Sequence, residues 1–232
     1  MSKTMTADSF CQNSSQVKAN QGRHEDGAMA TVGTTFRERI REQLHTAILD
    51  AAREQAVERG WRNVRMGDVA AAVGVSRQTL YAEFQNKDTL AEAVAVRELL
   101  HLLSSLSAEL DGLSGSLYDV VRAGVRFVLD EAAANPVLHA ALTGARPADN
   151  ELLPLLLKSV EPIITAAQEI LTSFAVGRFP ELDAAALDLG VESLIRLVVS
   201  YLVLPVHPHE VIAERVATAT VRVAGLAGPP GG

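Results

Sequence analysis

Ser76-Arg77-Gln78-Thr79 places three polar side chains of different hydrogen-bonding geometry in succession behind a serine. An arginine pairs bidentately with the O6/N7 edge of guanine and a glutamine with the N6/N7 edge of adenine; a threonine meets a thymine methyl or a phosphate oxygen. Two readings stand for Arg77 and Gln78: one or both read bases, or both touch only phosphate. Ser76 suits the N-cap of a helix starting at Arg77, which puts Arg77 and Gln78 in its first turn. Arg65, eleven residues before Ser76, falls at the start of another short helix. An arginine cannot accept a bond from the free helix N–H groups, so that end goes uncapped. Arg65 either pairs with a phosphate or is a solvated surface arginine.

These side chains need elements to hold them. The stretch Val64–Leu90 reads as two short helices, about Met66 to Val73 and Arg77 to Phe84, around the tight turn Val73-Gly74-Val75. Gly74 supplies the positive φ that other residues resist. Val69, Ala70 and Val73 can close a small core with Val75 and Leu80. This is the pattern of a helix-turn-helix, whose second helix enters the major groove. A preceding helix, about Phe36 to Arg59, shows apolar residues at three- and four-residue steps (Ile40, Leu44, Ala47, Ile48, Ala51, Ala52, Ala56) and ends at Gly60. Asn86 caps a fourth helix from Lys87 to about Leu110. Trp61 and Phe84 read as packing residues.

The segment from about 44 to 90 resembles the DNA-binding signature of the TetR family. The matching residues are Gly60-Trp61, Val69-Ala70, Gly74-Val75-Ser76, Thr79-Leu80-Tyr81, Phe84 and Lys87, at the family's spacing. One departure is Arg65, where many members carry Thr or Ser. The resemblance implies a double-stranded DNA operator as partner. It also implies that the Tyr81 hydroxyl meets a phosphate and that Lys87 meets another at the start of the fourth helix. The DNA-binding set is then Arg65, Ser76, Arg77, Gln78, Thr79, Tyr81 and Lys87.

Composition agrees once it is divided along the chain. The 232 residues carry a net charge of −7, which taken whole argues against nucleic acid. Residues 36–97 hold ten Lys or Arg against nine Asp or Glu, whereas residues 98–232 hold eight against sixteen. The acidity belongs to the C-terminal part. Apolar residues make up 48% and aromatics only 4%. That mixture of Ala, Leu and Val favours helices. The expected fold is all-α: a tail at 1–35, a helix-turn-helix domain at 36–86, a larger domain at 87–226 and a tail at 227–232. Helices are expected at about 116–134, 136–143, 150–175, 183–204 and 209–226, with Pro162 kinking or splitting the third of these.

In the larger domain, runs such as Leu194–Leu204 are apolar around most of a helix and must be buried on several sides. By the family resemblance, helices 183–204 and 209–226 pair with their mates in a homodimer. A ligand cavity is expected among helices 90–175, with candidate lining residues Leu102, Leu106, Phe127, Leu138, His139, Leu142, Leu156, Ile163, Phe174 and Tyr201. For any one of them ordinary core is the competing reading. Further polar candidates are His101, Arg122, Arg126 and Arg196, the last placed to pair with Glu192. An apolar cavity with one or two polar groups suits a small hydrophobic effector. Val64-Arg65-Met66 together with Arg77-Gln78-Thr79 is similar to an actinobacterial subset of the family linked with lipid metabolism, which implies a fatty acid or an acyl-CoA.

Other classes are disfavoured. No Gly-rich phosphate loop, nucleophile elbow or His-Glu-x-x-His pattern occurs, so neither an enzyme nor a cofactor is expected. Cys11 is a single thiol without a partner, and His207-Pro208-His209 lacks further ligands, so no metal is expected. No secretory leader and no apolar run of membrane length is visible, which points to a cytoplasmic protein and no membrane. The combined expectation is a ligand-released, dimeric repressor on a palindromic operator. The alternative is a DNA-binding regulator that takes no small ligand and answers to a protein partner.

Overall fold

In the computed structural model, residues 36–143 and 160–225 are described. Among them are nine α-helices and no strand, the all-α architecture expected. Helix α1 (Phe36–Arg59) ends where Gly60 adopts a φ of 77°. A turn of 3₁₀ helix, Trp61–Asn63, leads to α2 (Met66–Val73), which stops at Gly74 in the left-handed conformation, φ 78°. The Ser76 hydroxyl then accepts from the Thr79 N–H at 3.0 Å and starts α3 (Arg77–Glu83).

Helix α4 (Lys87–Gly112) opens with a reciprocal capping box between Asn86 and Thr89, and α5 (Leu117–Ala134) with one between Ser116 and Asp119. Helix α6 (Pro136–Thr143) begins on a proline, whose missing N–H costs nothing at that position. The side-chain oxygen Oδ1 of Asn135 accepts from the Val137 and Leu138 N–H groups and caps it. Helices α7 (Val160–Arg178), α8 (Ala184–Val203) and α9 (His209–Val223) complete the fold. Asp183 caps α8 by accepting from two backbone N–H groups. Pro162 lies in the first turn of α7 and neither kinks nor splits it, because a proline there displaces no intrahelical bond. The expected stretch from residue 150, with Pro154, lies outside the described residues, as do both tails and Cys11.

Three apolar cores result. The first gathers Ile48 and Ala52 of α1, Trp61, Val69 of α2, Leu80 of α3 and Phe84 with Leu90 and Val94 of α4; it also takes in Val137 and Ala141 of α6. The small N-terminal bundle thus shares its core with the first half of α4 and with α6. The second joins Leu102, Leu106 and Leu110 from the other half of α4 to Val120, Val128, Leu138 and Phe179. The third packs Val121, Val125 and Leu129 of α5 against Ile212, Ala213 and Val216 of α9, with Leu194 of α8. Helix α4 therefore spans two cores, and α6 lies against both.

Candidate DNA-reading surface and effector cavity

Helix α3 is pinned on one side. Leu80 is fully buried and Phe84 nearly so. Glu83, largely covered, accepts from Arg41 Nε at 3.1 Å and lies 3.0 Å from His45 Nδ1, both on α1. The His45 ring also packs on Phe84, with centroids 4.9 Å apart. With that side committed, Arg77, Gln78, Thr79 and Tyr81 all face solvent. The Thr79 hydroxyl is 2.8 Å from that of Ser76, so the capping serine also orients the threonine.

The remaining members of the expected set surround α3. Arg65 occupies the N-cap of α2, makes no capping bond and is exposed, as its chemistry requires. The Arg77 guanidinium lies back against α2. A Cβ added at Gly67 would stand 2.7 Å from its Nη2, so this close approach needs a residue without a side chain. Lys87 Nζ donates to the Arg62 carbonyl at 3.0 Å and sits 5.7 Å from the Trp61 ring centroid. It is placed at the start of α4, tied to the 3₁₀ turn. Trp61 and Phe84 are buried in the core, as read from the sequence.

The connection between this head and the rest was invisible in the sequence. Glu98, on α4, is 5% exposed. It accepts from Arg53 Nε of α1 at 2.9 Å and from Asn135 Nδ2, at the α5–α6 corner, at 2.6 Å. One buried carboxylate so joins the head to the corner that caps α6. Arg97, its neighbour, bonds Asp50 of α1 at 2.7 Å.

A partly open cavity of about 200 Å³ lies among α4, α5, α7 and α8. Of the candidate lining residues, Leu102, Leu106, Leu142, Ile163 and Phe174 border it. Leu156 lies outside the described residues. Four expected lining residues, Phe127, Leu138, His139 and Tyr201, do not line this cavity. The stripe that α5 turns to the cavity is Val120, Val121, Gly124, Val125 and Val128, and Phe127 stands one residue off it. Leu138 is 1% exposed and fills the second core, because α6 presents the next turn, at Leu142, to the cavity.

Among the described residues, Thr220 is the one polar side chain that lines this cavity, and its hydroxyl donates to the Val216 carbonyl at 2.9 Å. The candidates Arg122 and Arg126 instead hold Glu210 of α9 at the outer surface, where Arg126 also meets Asp130 at 2.6 Å. His101 is exposed. Arg196 bonds Glu192 at 2.8 Å, the intrahelical pair read from the sequence. His139 and Tyr201 line a second, smaller cleft of about 70 Å³, together with His209, Pro205, Leu142 and Leu202. His209 Nδ1 is 2.7 Å from Asp130 Oδ1. That bond is the largest cause holding the Asp130 carboxyl below the usual aspartate value. His207 Nε2 is 2.7 Å from Arg215, and among the described residues no group of His, Cys, Asp or Glu could hold a metal ion. No described helix is long and apolar enough to cross a membrane.

Known proteins agree with this arrangement. A family model described as "Bacterial regulatory proteins, tetR family" matches residues 48–94, and one described as "Bacterial Tetracyclin repressor, C-terminal domain" matches residues 117–222. The HTH-type transcriptional regulator AlkX of Mycobacterium tuberculosis is 32% identical over 180 residues, covering 77% of this chain and 84% of that protein. Among solved structures, the TetR family repressor AlkX from a Dietzia strain, implicated in biodegradation of n-alkanes, superposes with a TM-score of 0.61 at 26% identity. That match covers 77% of this chain and 96% of the other. RolR in complex with resorcinol shares the fold, with a TM-score of 0.58 at 18% identity over 81% of this chain and 90% of its own. A pinned recognition helix, the signature around it and a relative matched over most of its length lead to one assignment: the chain belongs to the TetR family of DNA-binding transcriptional regulators and is not an enzyme.

Proposed function

We propose that the chain is a dimeric repressor that binds an inverted-repeat operator and leaves it when a hydrophobic effector fills the cavity. The observation that carries this reading is α4. Its first half is built into the core of the reading head and its second half into the wall of the cavity. A change in the cavity therefore has a rigid path to the head, and a ligand that favours a wider separation of two heads lowers DNA affinity.

On the DNA side, Arg77 and Gln78 read base edges, Thr79 meets a thymine methyl or a phosphate, and Arg65, Tyr81 and Lys87 hold the backbone. On the dimer side, α8 and α9 carry the interface. Leu189 and Leu204 are more than half exposed in the single chain, and with Ser193, Arg196 and Ser200 they form one stripe along α8. Val211, Arg215, Thr218 and Arg222 do the same on α9. The two exposed leucines that flank the α8 stripe, beside a mixed stripe on α9 with the half-buried Val211 as its apolar member, suit a four-helix contact with a second copy.

The effector is a lipid. Among the described residues the cavity wall is apolar but for Thr220, which suits a hydrocarbon chain. The Dietzia relative's implication in n-alkane biodegradation points the same way. The test is a footprint followed by a titration. Protection of two half-sites about one helical turn apart is expected. Release from that site by long-chain lipids is expected with it. Full affinity for a single half-site, or an operator complex indifferent to every lipid in the series, would overturn the corresponding part.

A further inference from the structure

Gly67 is the one helical glycine among the described residues at which an added Cβ would come within 3.0 Å of another atom. It lies in the first turn of α2 and its φ is not positive, so the backbone does not call for glycine there. A glycine inside a helix is less favourable than an alanine. What excludes a side chain is Arg77 of α3. The Cβ would stand 2.7 Å from its Nη2, 2.8 Å from Nε and 2.9 Å from Cζ. The guanidinium therefore turns its Nε–Nη2 side to the backbone of α2.

No polar partner holds the group in that posture. Among the described residues Arg77 makes no hydrogen bond or ion pair, and its side chain is exposed. The carboxylate beside Gly67, that of Asp68, is engaged by Arg59 at 3.1 Å. The donors of Arg77 are thus unspent, and contact with a bare Cα orients them. With the Nε–Nη2 side backed by α2, the pair turned away from the protein is the end-on fork of Nη1 and Nη2.

We infer that Gly67 is a specificity-determining residue for operator reading: its missing side chain sets the posture in which Arg77 offers that fork to a guanine. This rests on the assignment of Arg77 to base reading above. The atoms that a Cβ would meet are the far end of a flexible side chain, so the fold accepts it and the displacement falls on the guanidinium. A bidentate pair needs both N–H groups in line with O6 and N7, and a hydrogen bond weakens steeply once it is misaligned. Residue 67 then acts on sequence preference through Arg77, at the one base pair of each half-site that Arg77 reads.

The experiment uses the full-length chain and a duplex library randomised over an inverted repeat. Selected sequences give the preference at each position, and titration of singly substituted duplexes gives its size. The parent should select guanine at one position per half-site, and Arg77→Ala should no longer distinguish that position. Gly67→Ala should cut the preference there by about tenfold. It should leave the other positions, and affinity for random DNA, within twofold. In the Arg77→Ala background, Gly67→Ala should change nothing beyond twofold, since no guanidinium is left to displace. Arg77→Lys should not restore the preference, because an ammonium has no fork to present. Thermal melting of each variant reports that the head is folded. A Gly67→Ala profile identical to the parent's overturns the inference. So does a loss spread equally over all positions and random DNA, or a loss that persists without Arg77; each would make the role of Gly67 structural. If Arg77→Ala keeps the parent's full profile, the base-reading assignment of Arg77 falls and the inference with it. If the parent selects no sequence at all, the operator reading itself falls.

Discussion

Replacing Glu98 should loosen the reading head from the effector domain at a cost that the geometry bounds. The carboxylate is 5% exposed and accepts two bonds, at 2.9 Å from Arg53 and 2.6 Å from Asn135. Removing one member of a fully buried ion pair costs about 3–5 kcal/mol, because the other charge is stranded. Here the Arg53 side chain is 39% exposed, so its guanidinium returns to water and that part is discounted. The half-buried Asn135 amide is left without its acceptor, at roughly 1–2 kcal/mol. Glu98→Ala should therefore destabilise by about 2–3 kcal/mol. Glu98→Gln keeps the volume and one acceptor but turns its own amide toward a donor, and should cost about 1–2 kcal/mol. Urea unfolding at one fixed protein concentration reads both, since a dimer's stability depends on concentration. A double-mutant cycle with Arg53→Ala should return a coupling of about 1 kcal/mol or more. Additive variants, or a Glu98→Ala protein within about 0.5 kcal/mol of the parent, would refute the claim that this carboxylate joins the two units.

Four further outcomes follow from the same geometry. Gly67→Ala should raise fold stability by up to about 1 kcal/mol through helix propensity while changing operator affinity, because its Cβ displaces the Arg77 guanidinium; unfolding and operator titration on one sample separate the two effects. Arg77→Ala or Gln78→Ala should cost about 1–3 kcal/mol on the operator and relax its sequence preference, whereas Lys87→Ala should weaken operator and random DNA alike and reduce the salt slope by about 1. Leu106→Trp should fill the cavity and blunt lipid release while the dimer still binds its operator in the anisotropy assay. The Asp119 and Asp130 carboxyls are held below the ordinary aspartate value of about 4, chiefly by bonds from Ser116 and His209. Depressed in the folded state, they contribute stability that is present above that value and lost as the pH falls through their folded values, so Asp119→Asn should flatten the acid limb of a stability–pH curve.

What the sequence showed is what neighbouring residues decide. Ser76 and Asn86 cap their helices, and Gly60 and Gly74 end theirs, because a cap involves atoms three or four residues apart. The outward face of α3 was legible for the same reason, since a seven-residue helix has one buried side and Leu80 marks it. Residues whose roles depend on distant elements were not. Glu98 sits in Arg97-Glu98-Leu99, which reads as a solvated helix face, and its burial needs Arg53 and Asn135 from 45 and 37 residues away. Leu138 and Leu142 are alike in sequence, yet one fills a core and the other lines the cavity, a difference set by how α6 crosses α4 and α5. His139 and Tyr201 were expected in the cavity for want of any local sign that a second cleft abuts it. Pro162 misled because its effect depends on where the helix begins, and the apolar run before it hid that start.

The division of charge along the chain acquires a physical sense in this light. The acidic larger domain has no reason to approach a phosphate backbone, so it can influence DNA only by moving the head. Two helices can transmit that movement. Helix α4 is continuous through both units and is stiff along its length. Helix α6 is two turns long, is capped by the same Asn135 that binds Glu98, and presents Val137 and Ala141 to the head core, Leu138 to the second core and Leu142 to the cavity. A helix of eight residues reaches both cores with fewer packed side chains than one of 26 and is easier to displace. On the proposed function, the first displacement on effector binding belongs to α6, and α4 carries it to the recognition helix. Amide hydrogen exchange of the free chain should show α6 opening before α4, and a lipid that releases the operator should alter α6 protection first. Protection that changes in α4 alone would place the lever there and remove α6 from the path.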